Sequence, residues 1–574
     1  MPDLKLTPDF RIAGILAPLF ALRSRHDLGV GDVGCLRELV DWAADTGFRI
    51  VQLLPINETG ADNSPYMAVS SVAIEPSTIE ITPGRVPSLT QEALDAIVGK
   101  VDIAQLRKGS AAYSMVKPLK LQILGAAFDN FAAKELARNT RQARAFRTWL
   151  AQQAEWIEGY GLFRVLMDHN SVNERWDLWP EEQRTLATAR LWLARQPGAT
   201  RKRLERRIRF YKWVQWVAFA QWEEVKAHAE TRGVWLMGDV PFGVSYYSSD
   251  VFSEPDIFDL SWSGGAPPEP AFQDNPFIAR WGQNWGVPLY RWDRLRETDF
   301  RWWRQRVHHT RQMFHLFRID HVLGFYRIFA FPWRPQENAD YVPLSNDEAR
   351  ARTGGRLPQF FPHDDSNDKN RDLNRSAGEE YLRALLRETG EFRMIGEDLG
   401  VVPPYVRPSL TSLGIAGFKI PIWEPKWDGW LIDGEDYQRL SLATYGTHDH
   451  EPLRSWWERR YRATQTEGPA KVSAWDQMVK LTAFAHLHMP MPEPWSDSLH
   501  MTLLRGLFRA NSWIAVCMIT DLFGTEQRFN VPGAVAESNW SERLPYEVEK
   551  WRENVDLLRV AEAVHAILRE TGRV

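Results

Sequence analysis

The segment Met313-Phe314-His315-Leu316-Phe317-Arg318-Ile319-Asp320-His321 constrains the fold of this chain more than any other. An apolar run leads straight into Arg318 and Asp320, and Gly324 follows where the chain is expected to turn. A run of this kind reads as a parallel strand buried on both faces, its carboxyl end presenting an arginine and a carboxylate to a cleft. A lone Arg-x-Asp would more simply be a structural ion pair closing a strand. Two further strand-like runs also end in carboxylates, at Glu397 and Asp449, and packing alone does not explain three such ends.

Seven other segments have the same character: 12–19, 48–55, 233–241 ending near Asp239, 392–400, 417–424 ending at Trp423-Glu424, 442–447 before His448-Asp449-His450, and 513–520. Helical patterns separate most of them. Eight such runs predict a (β/α)8 TIM barrel, in which polar residues at strand carboxyl ends carry the chemistry. At 574 residues the chain suits one catalytic domain over 1–574 elaborated by insertions. A mainly helical insertion is expected over 85–230, between strands two and three, and a loop-and-helix insertion over 245–312. The Gly-rich Asp27–Asp32 loop lacks the spacing and lysine of a phosphate loop and reads as the cap of a helix beginning near Asp32.

Composition excludes several classes. A net charge of −4 over this length argues against a nucleic-acid binder, and the basic stretch 201–207 reads as a solvated helix face. Cys35 and Cys517 make no disulfide framework, and Met1–Leu6 has no charged-then-apolar signal pattern. No apolar run is long enough to span a bilayer. A cytoplasmic protein without membrane attachment is expected. The 27 tryptophans fit a carbohydrate enzyme, since aromatic planes stack on sugar rings, and fit a helix-filled core equally well.

Three carboxylates at strand ends suit glycosidic-bond chemistry, with one nucleophile and one proton donor ~5–5.5 Å apart in a retaining enzyme. Asp320 is the expected nucleophile, held ionised by Arg318 on the same strand face. Glu397 is the expected acid/base, its pKa raised by burial and a neighbouring charge, with Asp398 turned to the other side. Asp449, helped by His448, would stabilise the oxocarbenium-like transition state. Tyr66, in a loop directly after strand two, is placed to stack under a sugar, the alternative being a packed turn tyrosine. A metal cluster at His448-Asp449-His450 with His321 is disfavoured because neighbours on a strand point to opposite faces. A serine hydrolase is disfavoured because no Gly-x-Ser-x-Gly elbow occurs.

Six motifs occur in one order: Asp62-x-Ser64-Pro65-Tyr66, Asp239-x-Pro241 with Ser249-Asp250-Val251, Gly282-Gln283-x-Trp285-Gly286-x-Pro288, Arg318-Ile319-Asp320-His321, Glu397-Asp398-Leu399-Gly400, and Gly446-Thr447-His448-Asp449. Together they resemble the 4-α-glucanotransferases, the amylomaltase or disproportionating-enzyme family (glycoside hydrolase family seventy-seven of the α-amylase clan). The likeness runs from about residue 11 to the Asn530-x-Pro532-Gly533 and Asn539-Trp540 region. It implies a retaining barrel enzyme that moves an α-1,4-glucan segment from a donor maltooligosaccharide to an acceptor sugar without a metal or organic cofactor. By the same likeness Asp320, Glu397 and Asp449 are the catalytic trio. Tyr66, Ser64, Asp239, Trp285, Arg318, His448, Trp423 and Asn530 are the expected substrate-binding residues, with Trp285 in a flexible loop on the acceptor side.

Val287, Val322-Leu323 and His450 depart from the usual family pattern and bear on acceptor preference. The stretch 322–328 is similar to that of the plant cytosolic, maltose-processing branch. The first expectation is therefore a transferase. An α-glucan hydrolase with the same trio is second, and a non-catalytic glucan-binding protein third.

Overall fold

The computed structural model describes residues 6–269, 275–533 and 538–574, so Met1–Lys5 and part of the Gly/Pro-rich stretch 263–276 lie outside it. In chain order its strands are β1 (Ile12–Leu16), β2 (Ile50–Gln52), β3 (Trp235–Val240), β4 (Phe258–Ala266), β5 (Gln283–Tyr290), β6 (Leu316–Ile319), β7 (Ile328–Phe331), β8 (Gln359–Phe361), β9 (Met394–Gly396), β10 (Gly417–Lys419), β11 (Ser441–Ala443) and β12 (Ile514–Met518).

Eight of them are parallel, in the order β1-β2-β3-β6-β9-β10-β11-β12. β1 pairs back onto β12 with Ile12 opposite Ile514. The other seam closes where Ile395 bridges Ala416 and the Gly396 N–H donates to the Ala416 carbonyl at 2.8 Å. The result is a (β/α)8 barrel; seven of its strands lie inside the expected apolar runs, and β11 begins one residue before the run 442–447 and ends within it. The strands are short and buried, so apolar pattern rather than length made them readable.

Helices fill the stretch between β2 and β3, among them Tyr113–Phe131, Arg141–Gln152, Ala154–His169 and the long Gly198–Thr231. They are tied to the barrel through polar groups as well as apolar ones. Lys120, fully buried, donates to Asp32 Oδ2 at 3.2 Å and to the carbonyls of Ser77 and Ile79. Asp32 in turn caps helix Val33–Thr46 by accepting from the Gly34 and Cys35 N–H groups, as its position before an apolar-periodic segment requires. Trp179, Trp213, Trp222, Trp303, Trp457, Trp513 and Trp551 are buried, so much of the tryptophan excess is packing. No helix among the described residues is long and apolar enough to cross a membrane.

Two expectations need correcting. The stretch 245–312 is more than loop and helix: β4 and β5 form an antiparallel hairpin inside a second sheet, ordered β5-β4-β7-β8. Its Gly and Pro residues looked like loop punctuation because here they serve close strand approach; a Cβ on Gly265 would lie 1.8 Å from the Gln283 carbonyl oxygen. Gly324 does not turn the chain. His321 does, at φ +46°, and Gly324 sits in the following helical turn Leu323–Tyr326 because the Phe242 ring occupies the place of a Cβ, 2.7 Å away.

The hairpin is bulged on both strands. Asp259 faces Leu289 and Ser263 faces Pro288, so Leu260, Ser261 and Trp262 are extruded from β4. Gly264 faces Val287 and Gly265 faces Asn284, so Trp285 and Gly286 are extruded from β5. Pro288 has no N–H to offer the ladder, a physical reason for the first interruption.

Candidate active site

Parallel register builds the centre of the site. β3 and β6 pair with Asp239 beside Arg318, so both side chains enter the barrel from the same level. Arg318 and Asp320 are two residues apart and share a face. β9 runs alongside β6, and the Glu397 N–H donates to the Ile319 carbonyl at 2.9 Å, which sets Glu397 next to Asp320.

Arg318 is buried and serves three carboxylates. Its Nη1 donates to Asp239 Oδ2 at 2.6 Å, while Nη2 lies 2.8 Å from Asp320 Oδ1 and 3.9 Å from Glu397 Oε2. Two oxygens held by one nitrogen at those distances fit the ~5–5.5 Å of a retaining pair. They reach the ~6.5–9.5 Å of an inverting pair only if nearly collinear with it. Burial alone would weaken the guanidinium as a base, but Asp239, Asp320, Tyr66 and Glu397 together push its pKa well up, so it stays charged.

Glu397 is in the opposite situation. Burial pushes its carboxyl up to about 8; Arg318 and the His321 N–H (2.7 Å to Oε2) pull it down, while the Asp320 charge adds to the rise. The Leu399 N–H donates to Oε1 at 3.2 Å and fixes the plane of the group. Asp398 faces away, accepting from the Phe418 N–H at 2.6 Å and pairing with Arg407 at 3.0 Å. The centre therefore offers a buried acid that carries its proton at neutral pH beside a carboxylate paired to a permanent cation.

Asp449 lies across the cleft, its side chain partly accessible. Burial would raise its pKa, but His448, Asn530, Arg318 and His450 outweigh it and hold the group below the usual carboxylate range. His448 Nε2 is 3.4 Å from Asp449 Oδ1, and Asn530 donates to the same oxygen at 2.6 Å. β11 ends at Ala443, so His448, Asp449 and His450 belong to a turn, and the strand alternation invoked against a metal cluster does not apply to them. His450 is occupied otherwise: its Nδ1 accepts from the Thr447 N–H at 3.0 Å, and burial lowers its pKa to about 4.

The aromatic residues sort clearly. Tyr66 donates its O–H to Asp239 Oδ2 at 2.7 Å, and burial beside that carboxyl keeps the phenol neutral. Its ring stacks on His448, centroids 5.2 Å apart and 15° from parallel. Trp285, delivered by the β5 bulge rather than by a loop, meets the edge of His321 at 4.8 Å. Trp423 stands at the rim, half exposed, tilted against His450 at 5.0 Å. Ser64 does not touch the carboxylates; its Oγ accepts from the Tyr66 N–H at 3.4 Å and its N–H donates to Asp62, so it shapes the loop that carries Tyr66.

Two contributors were missing from the expected residues. Trp540 closes the aromatic corner, 5.7 Å from both Tyr66 and His448, and the His321 main chain binds Glu397. Both lie within quoted motifs, but motif matching ranks side chains by type and is silent on main-chain donors.

The family model described as 4-alpha-glucanotransferase matches residues 17–548. This chain belongs to that family. It is 29% identical to the 4-alpha-glucanotransferase of Chlamydia pneumoniae over 553 residues, 94% of this chain and 92% of that one. It is 32% identical over 336 residues to the 4-alpha-glucanotransferase DPE2 of Oryza sativa subsp. japonica, 56% of this chain and 33% of that one. Among solved structures it shares the fold of an amylomaltase from Streptococcus agalactiae in complex with acarbose (TM-score 0.73, 23% identity, 98% of this chain and 99% of that one). It also shares the fold of an amylomaltase from Corynebacterium glutamicum (TM-score 0.74, 21% identity, 97% and 75%). The family is one of transferases, so the enzyme is a 4-α-glucanotransferase and the hydrolase and non-catalytic readings fall away.

One pH effect follows from the geometry. A general acid works only while protonated, so with Glu397 in the acid role expected from the sequence, transfer should fall as pH rises through about 8. Initial rates between pH 5 and 10 check this. A descending limb near the ordinary carboxylate range would remove Glu397 from the acid role.

Proposed function

We propose that this enzyme moves α-1,4-glucan segments from a maltooligosaccharide or glucan donor to the 4-hydroxyl of an acceptor sugar by double displacement with retention. In the first step the Asp320 carboxylate attacks the anomeric carbon while Glu397 gives its proton to the departing glycosidic oxygen. A glycosyl ester on Asp320 results. In the second step the Glu397 carboxylate takes the proton of the acceptor 4-hydroxyl, whose oxygen attacks the same carbon and releases Asp320. Asp449, with His448 and Asn530, holds sugar hydroxyls and favours the oxocarbenium-like transition state. Tyr66 and Trp423 offer stacking faces, and Trp285 helps exclude water so that a sugar rather than water meets the intermediate.

The observation that carries this reading is the sharing of Arg318 Nη2 between Asp320 and Glu397, with the Glu397 carboxyl pushed up to about 8. One carboxylate stays a nucleophile and its neighbour stays an acid. We take the chain as one catalytic domain bearing a helical insertion over 85–230. A reducing, cytoplasmic setting suits the two buried free thiols, Cys35 and Cys517.

Incubation with maltotriose tests the activity. The expected products are longer maltooligosaccharides together with glucose or maltose, with little growth in total reducing ends. A steady rise in reducing ends with only shorter products would replace transfer by hydrolysis.

A further inference from the structure

Beyond the carboxylates lies a second concave feature, a cavity of about 360 Å³ walled by the second sheet. All three residues extruded by the β4 bulge, Leu260, Ser261 and Trp262, line it, facing Tyr247, Arg334 and Gln336. Bulges re-aim side chains, and this one puts a half-buried indole, held edge-to-face against Phe361 at 4.6 Å, on the lining of a space of the size that small-molecule sites have, roughly 300–1,000 Å³.

The polar wall is rigid before any ligand arrives. Arg334 Nη1 donates to Asp177 Oδ2 at 3.1 Å, Nη2 donates to the Tyr246 hydroxyl, and the guanidinium lies 3.7 Å over the Tyr246 ring. Tyr246 is itself stacked on Trp176, 8° from parallel. Ordering such groups in advance removes a cost that binding would otherwise carry. An aromatic face opposed by guanidinium and amide donors is the chemistry of a sugar ring, whose C–H face stacks while its hydroxyls bond sideways.

A short run of contacts links the cavity wall to the active site. Trp285 packs on His321, and the next residue, Gly286, approaches Pro335 so closely that a Cβ would lie 3.0 Å from its ring. Pro335 is flanked in sequence by Arg334 and Gln336, both of which line the cavity. We propose that this cavity is a distal subsite that holds an α-1,4-glucan chain extending past Trp285, so that chain length is sensed away from the reacting bond. The proposal rests on the glucan-transfer reading of the site.

Transfer by the wild type, Trp262→Ala and Gln336→Ala is measured with maltotriose and with maltoheptaose. The ratio of kcat/KM for maltoheptaose over maltotriose is expected to fall about tenfold in Trp262→Ala and about threefold in Gln336→Ala, carried by KM. An unchanged ratio in both variants overturns the subsite, including the case where Trp262→Ala loses activity equally on both sugars and the ring merely supports the sheet. Gln336 is exposed, so Gln336→Ala decides if Trp262→Ala fails to fold. A wild type that builds no ladder from either sugar counts against the transfer reading instead. Calorimetric binding of maltoheptaose then judges the subsite: a Kd weakened about tenfold in Trp262→Ala supports it, and an equal Kd overturns it.

Discussion

Asp320→Asn is expected to leave the protein folded and able to bind glucan while slowing maltotriose disproportionation by about 10⁴-fold or more. Asparagine has the shape of aspartate and can still accept from Arg318 Nη2, which lies 2.8 Å from Asp320 Oδ1. It cannot become the leaving carboxylate of a glycosyl ester. The loss should therefore sit in the chemical step, with melting temperature and maltooligosaccharide affinity close to wild type. Initial rates of ladder formation, read beside a thermal melt, check both halves. A variant within tenfold of wild type would sink the assignment of Asp320 as nucleophile.

Arg318→Met is expected to cost about 3–5 kcal/mol of stability, because it removes the guanidinium paired with Asp239 Oδ2 while leaving Asp320 and Glu397 as close neighbours. The pH dependence of the loss distinguishes this cause from simple loss of packing. Burial already raises the pKa values of Asp239 and Glu397, and Arg318 opposes that rise. Without it both rise further. A carboxyl whose folded pKa is raised contributes stability that is present below its unfolded value and is lost as pH climbs through the folded one. The deficit of Arg318→Met should thus be small near pH 4 and grow toward pH 9. Denaturant unfolding at the two pH values measures it, and a deficit equal at both would make Arg318 a packing residue rather than an electrostatic one.

Much of this was legible in the residues, for a reason that varies from part to part. The eight staves were readable because a parallel strand covered on both faces needs an unbroken apolar run. The polar residue that ends the run must then emerge at the cleft, as Asp239, Arg318 and Glu397 do. Asp32 was readable as a cap because capping is local. The second sheet was not legible. Its strands β4, β5, β7 and β8 are separated by helices and barrel elements, and its glycines answer to cross-strand neighbours that no local pattern reveals. Likewise the turn at His321 lies in a backbone dihedral, and Gly324 drew attention that its neighbour merited. Trp540 joins the site only after the chain returns from β12, about 470 residues beyond Tyr66 in sequence, a distance at which spacing carries no signal.

The paired irregularities of the β4–β5 hairpin have a further consequence for how such an enzyme can change. Trp285 and Trp262 hang from opposite strands of one ladder, so neither can be re-aimed by altering the register without moving the other. A single-residue deletion in either strand would swap the faces of every side chain between the break and the turn. Insertions and deletions here should be strongly selected against, and drift in chain-length preference should proceed through point substitutions at the extruded positions themselves.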